Sequence, residues 1–452
     1  MTPKTSAVLA GALALLALAA GRTTPAVVAA DARPEVPAAI YVRAGVLIDG
    51  TGAPPRRDIG LVLRGDRIAE VAPWSRLAPP TGARIVDLSD RTVLPGLIDA
   101  HVHLSMSLGP GWEMAPVKTG AADAAILATV NAARTLRAGF TTVRILADRA
   151  GETVALRHAI DAGIVAGPHV LTARAMLSMT GGHGDWTNAF QPGVVIEDPG
   201  AGASGVCDSP DSCRAMVRTQ VKYGADVIKL SATGGVLSAG DAIGARQFSN
   251  DELAAIVAEA HALERRVAAH AHGTDGIKAA VRAGVDSIEH GSILDDEAVR
   301  LMKEHGTFLV PTLLAGETIE ALAKRGGLPA WAVEKALAVR PLMEGSFRRA
   351  VKAGVKIAFG TDSGVSEHGR NAREFELMVG AGMAPMDAIV AATRNAATLL
   401  GVAADRGTVE AGKRADLVAV AGDPLSDIAA LAHPVAVFKD GRPIEPAGAA
   451  AP

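Results

Sequence analysis

Aromatic side chains are scarce: 8 Phe, 4 Trp and 2 Tyr make up 3% of the 452 residues. Ala, Val, Leu and Ile must therefore fill whatever core forms. No run of Lys and Arg occurs, and 45 basic residues against 48 acidic ones leave a formal charge of −3. The clustered positive footprint that a nucleic acid or an anionic membrane requires is missing, so neither partner is expected. Beyond the N-terminus no uninterrupted apolar stretch approaches the roughly 18 residues that mark a spanning helix. Cysteine is limited to Cys207 and Cys213. The remainder is ordinary: 49% hydrophobic, 21% charged, 49 Gly and 25 Pro, which rules out disordered, collagen-like and coiled-coil chains.

The first 30 residues differ from the rest. Lys4 precedes the apolar run AVLAGALALLALAAG at 7–21, and small residues follow through VVAA at 27–30. This pattern reads as a secretory signal peptide over 1–30, cleaved near Ala20 or Ala30. An uncleaved anchor is the alternative, but the run is shorter than a bilayer needs. The expectation is a periplasmic or secreted protein with no stable membrane insertion after cleavage. In an exported chain Cys207 and Cys213, six apart, favour a local disulfide of modest stabilising effect. In a reducing compartment they would read as a metal or redox pair.

Residues 39–73 read as short strands, with the break GTGAPPRRD and the Gly65-Asp66 turn setting up hairpins. VDLSDRTVLPGLIDAHVHL then ends in a nearly continuous apolar run, as a buried parallel strand does. Helical stretches such as 121–139 and 250–266 alternate from there with TTVRIL, DVIKLSA, RVAAHAHG, SIEHGS, TFLVPTLL and KIAFGTDSG. Several helices end in Ala-Gly, as a left-handed C-terminal cap requires. About eight such repeats predict an α/β fold, a (β/α)8 TIM barrel. A doubly wound sheet is the runner-up, but no GxGxxG follows the first strand. The strands within 406–445 resemble the N-terminal segment. They predict a small composite β-sandwich domain built from 38–95 and 405–446, flanking a barrel over 96–404.

The chemistry-bearing residues fall at the C-terminal ends of the predicted barrel strands, where barrel enzymes place their sites. His101 and His103 are separated by one residue, so a strand puts both imidazoles on one face. Lys229, flanked by Val, Ile and Leu, would be buried, and an unpaired buried ammonium is costly. It must lose its proton, pair with an acid, or become a carbamate by adding carbon dioxide. His270, His290 and Asp362 each end an apolar run. Singly, such histidines are ordinary core residues. Together, spread over successive strands, the six suit zinc or a similar divalent ion.

The motifs HVHL, IKLSATGG, HAHG, IEHG and GTDSG, in that order, with VLPGLIDAHVHL and GKRADLVAVAGDPL, resemble the amidohydrolase superfamily over about residues 40–445. GGHGD, CDSPDSCRAMVR and IKLSATGGVLS resemble its exported imidazolonepropionase-like and prolidase-like branch, whose members cleave dipeptides, N-acyl amino acids and ochratoxin-type amides. The resemblance implies one divalent metal on His101, His103 and Asp362, a second on His270 and His290, and a Lys229 carbamate bridging them. Zinc is the first expectation, with manganese or cobalt open. Two cations lower the pKa of a shared water, which would attack an amide carbonyl while Asp362 carries the proton to the leaving amine. His183 would polarise the carbonyl or hold substrate. His272 and His368 are further candidate contacts, and Arg144 and Glu289 read as buried structural partners. The remaining histidines, His169 among them, lie outside these motifs. Hydrolysis of a cyclic amide or lactone, or deamination, at the same centre is the competing reaction. A non-enzymatic binding barrel is the third reading. Relatives often form homo-oligomers, and the resemblance implies the same here.

Overall fold

Strand-forming segments from the two chain ends meet in one sheet. In the computed structural model, which describes residues 39–445 apart from 110, 150, 189 and 194–203, the first four strands are β1 (Ile40–Leu47), β2 (Arg56–Arg64), β3 (Arg67–Pro73) and β4 (Arg84–Pro95). The signal-peptide reading over 1–30 falls outside the described residues. Seven barrel strands follow: β5 (Leu97–Val102), β6 (Phe140–Ile145), β7 (His169–Thr172), β8 (Val227–Ser231), β9 (Arg266–Ala271), β10 (Ser287–His290) and β11 (Phe308–Val310). The chain closes with β12 (Leu417–Ala421), β13 (Pro434–Lys439) and β14 (Arg442–Ile444).

The outer sheet has the order β14-β13-β12-β4-β1-β2-β3, so β4 is the seam where N- and C-terminal strands join. One face carries Val42, Ala44, Leu61, Leu63 and Leu417, and the residues next to them on β2 and β12, Val62 and Val418, are buried as well. The β13–β14 hairpin turns on Asp440 and Gly441, both with positive φ (51° and 72°), as a type I′ turn demands. One glycine fixes the passage from sheet to barrel. A Cβ on Gly96, between β4 and β5, would lie 2.1 Å from Thr141 Oγ1.

The barrel strands are parallel, pairing as β5-β6-β7 and as β8-β9-β10-β11. Asp226 N donates to Thr172 O at 2.8 Å, and Leu177 bridges Leu230, which joins the two sheets. The eighth stave is irregular. Residues 357–363 bridge β11 at Leu309–Ile357 and β5 at Val102–Ser363, both parallel. The result is a closed (β/α)8 barrel with an attached sheet, and closure excludes the doubly wound alternative.

Small residues do most of the packing between strands and helices. The helix Ala121–Arg137 buries Ala124, Ala128, Ala132 and Leu136, one stripe at helical spacing. The helices ending at Gly284 and Gly354 stop in the left-handed conformation, with φ of 97° and 75°. The few phenylalanines are concentrated: Phe359 packs between Phe140 and Phe375, with ring centroids at 5.5 and 4.3 Å. Cys207 and Cys213 are disulfide-bonded, which resolves the two readings of that pair.

Glu374 is a fully buried carboxyl that caps a helix. It accepts from Leu313 N at 2.9 Å and Leu314 N at 2.6 Å, where Leu313–Lys324 begins. Burial outweighs those two donors and raises its pKa from the ordinary 4.5 to about 8. Between these values the unfolded chain has lost a proton that the folded protein keeps. The group's contribution to stability therefore falls as pH rises from about 4.5 to about 8. Glu374→Gln removes that titration. Urea midpoints measured across this window should fall less steeply with pH in the variant than in the parent, and parallel curves would refute the assignment.

Candidate metal centre

Two residues 261 apart in sequence meet because the barrel closes between β5 and its last stave. His103 N donates to Ser363 O and Asp362 N to His101 O, both at 2.7 Å. This register sets His101 Nε2 3.4 Å and His103 Nε2 3.0 Å from the same oxygen, Asp362 Oδ1. Behind them Asp99, also on β5, is buried and takes bonds from Thr361 N, Thr361 Oγ1 and Asn371 Nδ2 at 3.1, 2.6 and 2.8 Å. A second group stands on the neighbouring strands. His270, His272 and His290, from β9, its C-terminal extension and β10, each place one ring nitrogen within 4.8 Å of the others. The two groups adjoin, with the rings of His101 and His290 5.1 Å apart. Lys229 from β8 lines the same cavity and is 2% exposed.

Four of the rings are oriented from behind through Nδ1. His101 faces Glu289 Oε2 at 2.9 Å, His290 faces Thr312 Oγ1 at 2.7 Å, and His272 faces Ser292 Oγ at 2.7 Å. His183 faces Ser238 Oγ at 2.8 Å. Nε2 is the ring nitrogen left over in each case, an arrangement that fixes the tautomer of a metal ligand. Glu289 is itself held by Arg144, whose NH2 donates to Oε1 at 2.8 Å while Nε holds Ala100 O at 2.6 Å. Burial alone would raise Glu289, but Arg144 and the His101 bond overcome it and hold the carboxyl down at about 2.

The electrostatics favour neutral imidazoles. Burial lowers His101 and His183 to about 4 and His272 to about 3, and it pushes His270 and His290 well below the ordinary value. Burial also lowers Lys229 to about 8, against the pull of Glu289 and Asp362. Neutral imidazole is the form that binds a cation. The donor set is also under-satisfied: Asp362 Oδ1 and His270 Nε2 are buried without a hydrogen bond. Buried polar atoms are normally paired, so convergent orphans fit a divalent ion. Two of these residues bear backbone strain, with positive φ at His290 (69°) and Asp362 (59°).

A cavity of about 450 Å³ opens over the centre. His101, His103, Lys229, His270, His272, His290, Asp362 and His183 all line it. His183 stacks on His270 with centroids 4.1 Å apart, and Ser238 links it to Asp241, which Lys335 Nζ contacts at 2.6 Å. His368 is not among the residues lining the cavity, and its Nε2 donates to the Met106 carbonyl at 3.1 Å. Asp241 and the aromatic wall went unseen in the sequence. Trp112, Trp186 and Trp331 line the cavity, three of the four tryptophans in the chain. All lie in loops or helix starts, where no periodicity marks them.

The Amidohydrolase family model matches residues 92–444. The chain is 36% identical to the ochratoxinase of Aspergillus niger over 425 residues, covering 89% of this chain and 85% of that protein. Among solved structures, a Xaa-Pro dipeptidase with methionine bound in its active site superposes with a TM-score of 0.86 at 41% identity, covering 90% of this chain and 99% of that one. A prolidase complexed with N-methylphosphonate-L-proline gives a TM-score of 0.82 at 33% identity, with the same coverage.

Removing Arg144 would strand the Glu289 carboxylate in the interior. Arg144→Met should cost about 3–5 kcal/mol, because one partner of a buried pair is left uncompensated. Adding Glu289→Gln should return much of that stability while zinc affinity stays about 10–100-fold below the parent's, since His101 loses its anchoring carboxylate. Urea midpoints and zinc-chelator competition separate the two effects. Parental zinc affinity in the double variant would remove Glu289 from the centre.

Proposed function

Because the chain belongs to the amidohydrolase family and is a hydrolase acting on amide bonds, we propose that it is exported and cleaves small amides whose product is a free amino acid. The convergence of His101, His103 and Asp362 with His270, His290 and Lys229 in one cavity carries this reading. The first three would hold one divalent metal, the two histidines a second, and Lys229 as a carbamate would bridge them. Its lowered pKa supports that modification, since carbon dioxide adds to the free amine with loss of a proton. A bound pair of divalent cations supplies acidified water and a polarised carbonyl. Zinc suits the N- and O-donor set. Export rests on the segment 1–30.

The chain's own groups do the rest. Asp362, its Oδ1 free of hydrogen bonds, accepts the proton of the attacking water and delivers it to the amine nitrogen as the C–N bond breaks. His183, donating from Nδ1 to Ser238 Oγ, keeps an unprotonated Nε2 that can accept a hydrogen bond and so hold the substrate. Of two arginines on the wall, Arg149 is tied to Thr119 O and Oγ1 at 3.1 and 3.0 Å, whereas Arg340 meets Glu320 Oε2 through Nε at 3.4 Å. Arg340, braced by Glu320 from one side, is our candidate clamp for the substrate carboxylate through its terminal nitrogens. The tryptophan wall favours an acyl group with a flat aromatic face, and it keeps water from the amide. An ochratoxinase and a Xaa-Pro dipeptidase among the relatives support a small amide substrate.

Mass spectrometry of products tests the reading. Zinc-reconstituted protein should release a free amino acid from N-aroyl amino acids and from some dipeptides. Asp362→Asn should lose at least about a thousandfold in turnover. Inert amides beside a hydrolysed lactone or cyclic amide would favour the competing reaction. Arg340→Met should raise KM by about 10–100-fold, as loss of a charge-assisted bond implies. If kcat falls instead while KM holds, Arg340 does not bind the carboxylate.

A further inference from the structure

A second convergence of metal-ligand atoms lies away from the catalytic cavity, where the barrel meets the sheet. His169 is the first residue of β7, Asp416 directly precedes β12, and Asp440 directly follows β13. None of the three lines the cavity. His169 Nε2 lies 3.4 Å from Asp416 Oδ2 and 3.3 Å from Asp440 Oδ1, and one atom from each residue falls within 4.8 Å of the others. Asp416 is 5% exposed. Its Oδ2 and His169 Nε2 are both buried without a hydrogen bond.

The three side chains converge while Asp416 Oδ2 and His169 Nε2 stay outside hydrogen-bond geometry. Ligands at about 2.0–2.2 Å from a tetrahedral ion stand roughly 3.3–3.6 Å apart. The catalytic group shows the same signature, with His101 Nε2 3.4 Å from an orphaned Asp362 oxygen. Asp440 is already paired with two cationic side chains, so a bound cation would draw mainly on the charge of Asp416. Asp440 Oδ1 accepts from Arg414 NH1 at 2.7 Å and Oδ2 from Lys439 Nζ at 3.2 Å, whereas the other Asp416 oxygen, Oδ1, accepts only from the Asp440 backbone N at 2.8 Å. Asp416 Oδ1 and Asp440 Oδ2 are thus held from behind, as metal ligands are, while Asp440 Oδ1 is shared with Arg414. Side-chain exposures of 14% for His169 and 24% for Asp440 provide an entry path.

We propose that His169, Asp416 and Asp440 bind one divalent cation of the zinc type, a structural ion that cross-links barrel strand β7 to β12 and β13. One imidazole and two carboxylates leave a fourth tetrahedral position for water. The surrounding chain is already a junction: Asp416 O accepts from Gly96 N at 2.8 Å, at the passage from sheet to barrel.

The test is the zinc content of the full enzyme after zinc loading and desalting, with Asp416→Asn and His169→Gln beside it. Each variant should hold one zinc per chain fewer than the parent, with unchanged kcat and a lower Tm in zinc-containing buffer. Because the readout is a difference, incomplete filling of the catalytic centre does not alter it. Crystals of the unsubstituted protein, measured on both sides of the zinc edge, should show an anomalous peak among the three side chains, which covers variants that fail to fold. Equal zinc in parent and variants, or no anomalous peak, would overturn the site and leave the three residues as an ion cluster.

Discussion

Parallel pairing across the barrel seam is the constraint on which the centre depends. Reciprocal main-chain bonds between His101 and Asp362 and between His103 and Ser363 set the register. A slip of one residue would turn the ligands to the other side of the wall. Asp99 reinforces that register, since a buried carboxyl that accepts from Thr361 and Asn371 tolerates no other alignment of the two strands. Burial raises Asp99 to about 6 despite those bonds, so the lock carries an electrostatic cost. The strained backbone at Asp362 and His290 is sustained by the same framework.

Much of this was legible in the sequence. Period-two spacing put His101 and His103 on one face, and apolar runs ending in Lys229, His270, His290 and Asp362 marked buried strands with polar tips. The alternation of helices with those runs was enough for the barrel. The strands within 38–95 and 405–446 shared a turn-rich character that pointed to one composite domain, expected as a sandwich where the structure has a single seven-stranded sheet. What escaped notice had no local signal. Nothing beside Asp241 says that Ser238 will carry it to His183, and nothing near Glu374 marks it as a cap sixty residues away on Leu313. Trp112, Trp186 and Trp331 sit in non-periodic segments, so only the fold gathers them.

The buried Arg144–Glu289 pair shows how charge is rationed in this interior. Its carboxylate sits beside a ring of neutral imidazoles, and its guanidinium keeps that carboxylate ionised and aimed at His101. A hydrophobic pair of equal volume would pack as well or better. Retaining the ions makes sense as orientation of His101 rather than as stabilisation of the barrel.

The uneven placement of aromatics has an optical consequence. Three of the four tryptophans stand on the cavity wall, and the fourth, Trp74, lies in the outer sheet domain beneath Arg43. Indole emission from this protein is therefore dominated by the walls of a single chamber. The chain carries its own reporter of what enters and leaves that chamber, with Trp74 as a constant background.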